Sequence, residues 1–220
     1  MKVIEPSFEV ISAPLYEDVC RVLEICIRNA YKSEDKIGPG TGEKLIRNVL
    51  GRKPTPHESC IEHGGFTLRF ITDRGVSHEL VRHRLLSPTQ ESTRYCNYAK
   101  EKFGNEITFV TPAWYKEEAK YNKRGWWVKA CKDSEASYFG MLGDGFTPQE
   151  ARAALNNSTK TDVIATTNFR EWRHIFNLRT HLTAHPDMRM LMRPALKWAR
   201  ETYPALFEGV GYMTDGEEHE

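Results

Sequence analysis

From Gly65 to Thr72 the chain reads GFTLRFIT. Apolar and polar side chains alternate there, and several are β-branched or aromatic. This predicts a strand, closed by Asp73-Arg74-Gly75. The same alternation predicts strands over Lys2 to Ile11, Ile107 to Thr111 and Thr159 to Thr167. Elsewhere the period lengthens. Val19, Val22, Leu23, Cys26 and Ile27 fall at helical spacing and predict a helix over Leu15 to Tyr31. After the turn KIGPGTGEK a second helix runs from Thr41 to near Gly51. A short one spans Val76 to Leu86 and stops at Ser87-Pro88. Pro112 to Met141, rich in aromatics, reads as one long helix. Gly143 to Phe146 breaks it, and Thr147-Pro148-Gln149-Glu150 starts the next with Pro at the first position and Glu three residues after the cap. Helices over Asn168 to Thr180 and Asp187 to Tyr203 are separated by Pro186. Mixed elements without a regular βαβ alternation predict an α+β fold in one domain, 1–220, with an acidic, frayed tail after about residue 211.

Composition narrows the class. A chain of 220 residues, 40% hydrophobic and 28% charged, can bury a core without staples. No apolar run approaches the length of a membrane helix, and MKVIEPSFEVIS lacks the apolar stretch of a signal peptide. Five cysteines, none in a CxxC, predict free thiols in a reducing cytoplasm. The formal net charge of +1 argues against a nucleic-acid-binding polycation.

That near-neutral total hides a segregation. Between Arg69 and Arg94 there are five Arg and no Lys; between Arg152 and Arg200 there are seven Arg and two Lys; between Lys100 and Lys132 there are seven Lys and one Arg. Arg suits fixed, bidentate recognition of phosphate or carboxylate, so the two Arg-rich segments read as anion-binding walls, with ordinary ion pairing as the alternative. In 79–95, ELVRHRLLSPTQESTRY, Arg82, His83, Arg84 and Arg94 are interleaved with hydroxyls and amides that suit a phosphate or a base edge. On a helix end, successive side chains diverge by about 100°, so Arg82 and Arg84 are expected to serve different ligands or subunits. In 57–63, HESCIEH, the H-x5-H spacing is poor for zinc, and no metal site is expected. In 168–179, Arg170, His174 and Asn177 share one helical stripe ending near Arg179, while Trp172, Ile175, Phe176 and Leu178 are expected to pack inward. Neither GxGxxG nor GxxxxGKS occurs, so phosphate recognition would fall to Arg and hydroxyl groups.

Arg82-His83-Arg84, seven residues and then Ser92 is similar to the RHR-x7-S signature of the flavin-dependent thymidylate synthases. HESCIEH before the FTLRF strand, Glu150-Ala151-Arg152 and TNFREWRHIFNLR resemble further blocks of that family, in order, over 55–190. The resemblance implies a single domain with a small antiparallel sheet and several long helices, assembled as a homotetramer with active sites at subunit interfaces. It also implies synthesis of dTMP from dUMP, with methylenetetrahydrofolate as carbon donor, NADPH as reductant and FAD bound. Carried over by position, FAD would touch His57, Ser59, Arg82, His83, Arg84, Gln90, Asn168, Arg170 and His174. The nucleotide would touch Glu79, Leu80, Val81, Arg82, Gln90, Glu91, Ser92, Thr93, Arg94, Arg152 and Arg179. Arg94 and Arg152 are the phosphate candidates, and Arg179 would act catalytically by stabilising charge at the uracil edge. The pattern implies no cysteine nucleophile, although Cys60 and Cys96 lie near the motifs. This sequence departs from the family at Glu79, where Gln is frequent, and at Thr89, where Asn is common.

Overall fold

The structure, a computed structural model, describes residues 1–214. In chain order the strands and helices are β1 (Lys2–Ile4), β2 (Ser7–Ser12), α1 (Tyr16–Tyr31), α2 (Thr41–Leu50), β3 (Gly65–Asp73), α3 (Arg74–Leu80) and β4 (Ser87–Gln90). There follow β5 (Thr108–Val110), α4 (Gly125–Gly143), α5 (Pro148–Ala151), β6 (Lys160–Asn168), α6 (Phe169–Thr180), α7 (Pro186–Thr202) and α8 (Pro204–Phe207). Four strands form one antiparallel sheet in the order β2-β3-β6-β4. The mixed α+β class is thus as expected. The pairing of β1 with β5 is not, because these two strands run parallel, Lys2 opposite Thr108 and Ile4 opposite Val110. The expected strand over 2–11 is split at Glu5-Pro6, where Pro has no N–H to give a ladder.

The chain divides into two compact units drawn from interleaved segments. Unit 1 comprises 1–9, 69–83 and 88–164; unit 2 comprises 10–68, 84–87 and 165–220. The core of unit 1 gathers Tyr98, Ile107, Phe109, Cys131, Tyr138 and Ala151. In unit 2 the core is aromatic. Phe66 stacks on Trp172, centroids 4.8 Å apart and ring planes nearly parallel, with Trp198 edge-on at 5.0 Å. Trp172 also donates its indole N–H to the Phe66 carbonyl, so its one polar atom is satisfied in the core.

Two expected helices are corrected. Only Gly125–Gly143 of the 112–141 stretch is α-helical; Ala113–Lys116 and Glu118–Lys123 are 3-10 turns. The aromatics there serve a cation: the Arg124 guanidinium lies 4.5 Å from the Tyr115 ring centroid and 4.2 Å from that of Tyr121. The helix expected over 76–86 instead starts at Arg74, capped by the Asp73 carboxylate accepting from the Val76 N–H at 2.9 Å, and ends at Leu80. Arg82 and Arg84 therefore stand in turns, not on a helix end, with His83 buried and both arginines exposed. Leu178, expected to pack inward, is 46% exposed. The expected frayed tail lies beyond the described residues from 215 on, and Tyr212 is tied down, its N–H donating to Thr180 Oγ1 at 2.7 Å. Among the described residues no helix is long and apolar enough to cross a membrane.

Candidate functional site

Unit 1 carries most of the residues matched to the nucleotide: Glu79, Leu80, Val81, Arg82, Gln90 through Arg94, and Arg152. Leu80 is fully buried, so its side chain belongs to the core and only its backbone is left for a ligand. Residues 92–96 form a tight turn in which the Tyr95 and Cys96 N–H groups both donate to the Ser92 carbonyl, at 3.1 and 3.0 Å. The Arg94 N–H meets Ser92 Oγ at 3.3 Å. Both candidate phosphate cations, Arg94 and Arg152, are exposed. Arg152, in the 3-10 turn just after α5, donates to Thr93 Oγ1 at 3.5 Å, which links the end of α5 to this turn.

Beneath the turn lies a charge cluster that reading the sequence missed. The Glu91 carboxylate accepts from the Tyr98 hydroxyl at 2.8 Å and from Lys160 Nζ at 2.9 Å. Lys160 also pairs with Asp162 at 2.7 Å, and Arg69 bridges Asp162 and Glu9. Burial pushes the Asp162 carboxyl up, but hydrogen bonds from Lys160 and Arg69 outweigh it and hold the group below its usual range. Burial likewise pulls Lys160 down, and Asp162 and Glu91 more than reverse this. Gln90 is also engaged: its amide donates to Ser77 Oγ at 2.8 Å and Thr161 Oγ1 at 3.1 Å. Arg69 thus follows the ion-pairing alternative.

Unit 2 carries His57, Ser59, Arg84, Asn168, Arg170, His174 and Arg179. The Arg170, His174 and Asn177 stripe lines a cavity of about 580 Å³, together with Glu58, Glu62, Leu85, Asn168, Glu171 and Arg173. α6 is aimed by its cap, as Asn168 Oδ1 accepts from the Glu171 N–H at 2.9 Å. Arg170 donates to Glu62 at 2.6 Å. Arg173 donates to Glu58 at 3.1 Å and to the Leu206 carbonyl. Burial lowers the Arg173 guanidinium, against the pull of Glu58. The sequence offered a signal for Glu58 and Glu62, two acids in HESCIEH facing an Arg-rich helix, but no partner assignment. That segment is a 3-10 turn over Ser59–His63. His57 Nδ1 lies 2.9 Å from the Tyr31 hydroxyl and 3.1 Å from Arg52 Nη1. A guanidinium only donates, so Nδ1 accepts and the ring proton sits on Nε2. Burial raises the thiols of Cys60 and Cys96, which disfavours a thiolate at either.

Residues 15–205 match the family model described as "Thymidylate synthase complementing protein". The flavin-dependent thymidylate synthase of Pyrococcus furiosus is 32% identical over 183 residues, 77% of this chain and 72% of that protein. The enzyme of the same name from Thermococcus kodakarensis is 33% identical over 80% of this chain and 74% of its own length. That from Corynebacterium aurimucosum is 29% identical over 90% and 83%. Among solved structures, the UMP/dUMP methylase PolB from Streptomyces cacaoi, bound with 5-Br dUMP, superposes with a TM-score of 0.75. It is 21% identical, covering 94% of this chain and 96% of that one, and so shares the fold. The chain therefore belongs to the family of the flavin-dependent thymidylate synthases.

Proposed function

We propose that this protein makes dTMP from dUMP by reductive methylation, with methylenetetrahydrofolate giving the carbon and NADPH the electrons through bound FAD. The observation that carries the reading is the family match over residues 15–205. We further propose that the whole chain, 1–220, acts as one catalytic module in a cytoplasmic homotetramer.

The donor set of the unit 2 cavity is compatible with a flavin dinucleotide. Arg170 is half exposed, leaving its guanidinium an open side for a diphosphate, while Asn177, whose Oδ1 accepts from the Gly211 N–H at 2.6 Å, would turn its amide N–H groups to a heteroaromatic ring. On this unit Asn168, Arg170 and His174, with His57, Ser59 and Arg84, would hold it; the resemblance adds Arg82, His83 and Gln90 to the flavin contacts. Once bound, the flavin supplies hydride-transfer chemistry that no side chain here offers. Arg94 and Arg152 would neutralise the nucleotide phosphate, and the Ser92 turn would fix its register. Arg179 would stabilise the negative charge gathered at N3 of the uracil, which raises the nucleophilicity of carbon 5. Glu79, Leu80, Val81 and Thr93 would complete the nucleotide side. The Nε2 proton of His57 would face the flavin as a hydrogen-bond donor. The raised thiols of Cys60 and Cys96 agree with a route that uses no cysteine.

Release of tritium from carbon-5-labelled dUMP tests the proposal. It is expected only when FAD, NADPH and methylenetetrahydrofolate are all present. Release that is indifferent to FAD, or no release from flavin-loaded protein, would refute it.

A further inference from the structure

The start of β6 reads Lys160-Thr161-Asp162, and the strand's alternation sends the first and third side chains to one face and buries Thr161 on the other. On that face Lys160 sits between two carboxylates, Glu91 at 2.9 Å and Asp162 at 2.7 Å. The Glu91 side chain is only 11% exposed. Its two carboxylate oxygens are both engaged, Oε1 by Tyr98 and Oε2 by Lys160. Its backbone N–H donates to the Asp162 carbonyl at 2.8 Å. Residue 91 is therefore pinned at three points to β6 and to Tyr98, and the next residue is Ser92, whose carbonyl and hydroxyl organise the whole 92–96 turn.

From this geometry we infer that Tyr98, Lys160 and Asp162 are positioning residues for the nucleotide. They act through Glu91, whose two carboxylate oxygens are taken up by Tyr98 and Lys160, so that its expected contact with the nucleotide falls to the backbone. The inference rests on the proposed dUMP reaction. Its physical basis is that a carboxylate this enclosed needs its cation. Without Lys160, Glu91 Oε2 loses the cation that engages it, and the side chain must turn toward water. That change pulls on the residue that anchors Ser92, Thr93 and Arg94, and a displacement of order 1 Å in such a turn is enough to weaken binding. Burial and the nearby Glu91 push the Tyr98 phenol well above its ordinary value, so it remains a donor to Glu91 at any working pH.

A double-mutant cycle on the full-length, flavin-loaded protein tests this, with Glu91→Gln, Lys160→Met and the pair combined. Lys160→Met is expected to raise the KM for dUMP about tenfold, to hold kcat within about twofold and to leave flavin content unchanged. Lys160→Arg restores most of the KM. The combined variant is expected to be no worse than the poorer single one, because both remove one linkage. If the two effects multiply, Glu91 meets the nucleotide directly and the inference falls. If Lys160→Met fails to fold, Tyr98→Phe decides. It keeps its ring in the core and should raise KM about threefold, and an unchanged KM overturns the inference. A wild-type protein that releases no tritium overturns the proposed reaction and this inference with it. Normal release with KM unmoved in every variant overturns this inference alone.

Discussion

Gly65 opens β3 where two backbones nearly touch. A Cβ there would lie 2.1 Å from the Thr167 carbonyl and 2.8 Å from Asn168 Cα, and neither backbone atom can swing aside. Gly65→Ala should therefore cost about 3 kcal/mol, read as a lower urea midpoint at unchanged slope. A midpoint within error of wild type would show that the strands can separate there. Individual side chains were unevenly legible in the sequence. The Arg170, His174 and Asn177 stripe followed from helical spacing alone, and all three line one cavity. Glu91 was visible as a polar residue in a motif, but its partners Tyr98 and Lys160 are seven and sixty-nine positions away. No local period encodes such pairings.

Among the elements, β6 carries the charge cluster, and its titration has a defined sign. The folded Asp162 carboxyl lies below its unfolded value, so its contribution is complete above about pH 4 and is lost as pH falls through the depressed value. Folded Lys160 lies above its unfolded value, so its share is complete below about pH 10 and is lost as pH rises through the raised value. Urea midpoints measured between pH 3 and 5 should fall for wild type and fall less steeply for Lys160→Met, which has less Asp162 linkage to lose. Parallel curves would show that Lys160 does not hold Asp162 ionised. Strands and amphipathic helices with a clean period, such as β3 and α1, were legible to within a residue at each end. The 112–124 stretch was not. Its aromatics at irregular spacing mimic a buried helix face, whereas two of them, Tyr115 and Tyr121, flank the Arg124 guanidinium. The turn at 82–84 was misread for a related reason: its exposed–buried–exposed order at Arg82, His83 and Arg84 is equally what a helix with a narrow buried stripe gives, as at Ala130-Cys131-Lys132 in α4.

For the whole molecule, the proposed homotetramer predicts a solution mass four times that of the 25.4 kDa chain. Light scattering after gel filtration should find one such species, and a monomer that retains full turnover would remove shared active sites from the proposal. Fold class was readable from the mixture of periods, and the family from the motif at 82–92 with three ordered blocks around it. Sheet order and the parallel β1–β5 pair were not readable, since they depend on which distant segments meet.

Each compact unit is stitched from three separate stretches, alternating along the polypeptide. No single cut can release one unit whole, so deletion mapping or limited proteolysis cannot parcel out the chemistry between them; only point substitutions can. Such threading also delays closure until sequence-distant partners find each other, so refolding after dilution from denaturant should be slow for a chain of this length.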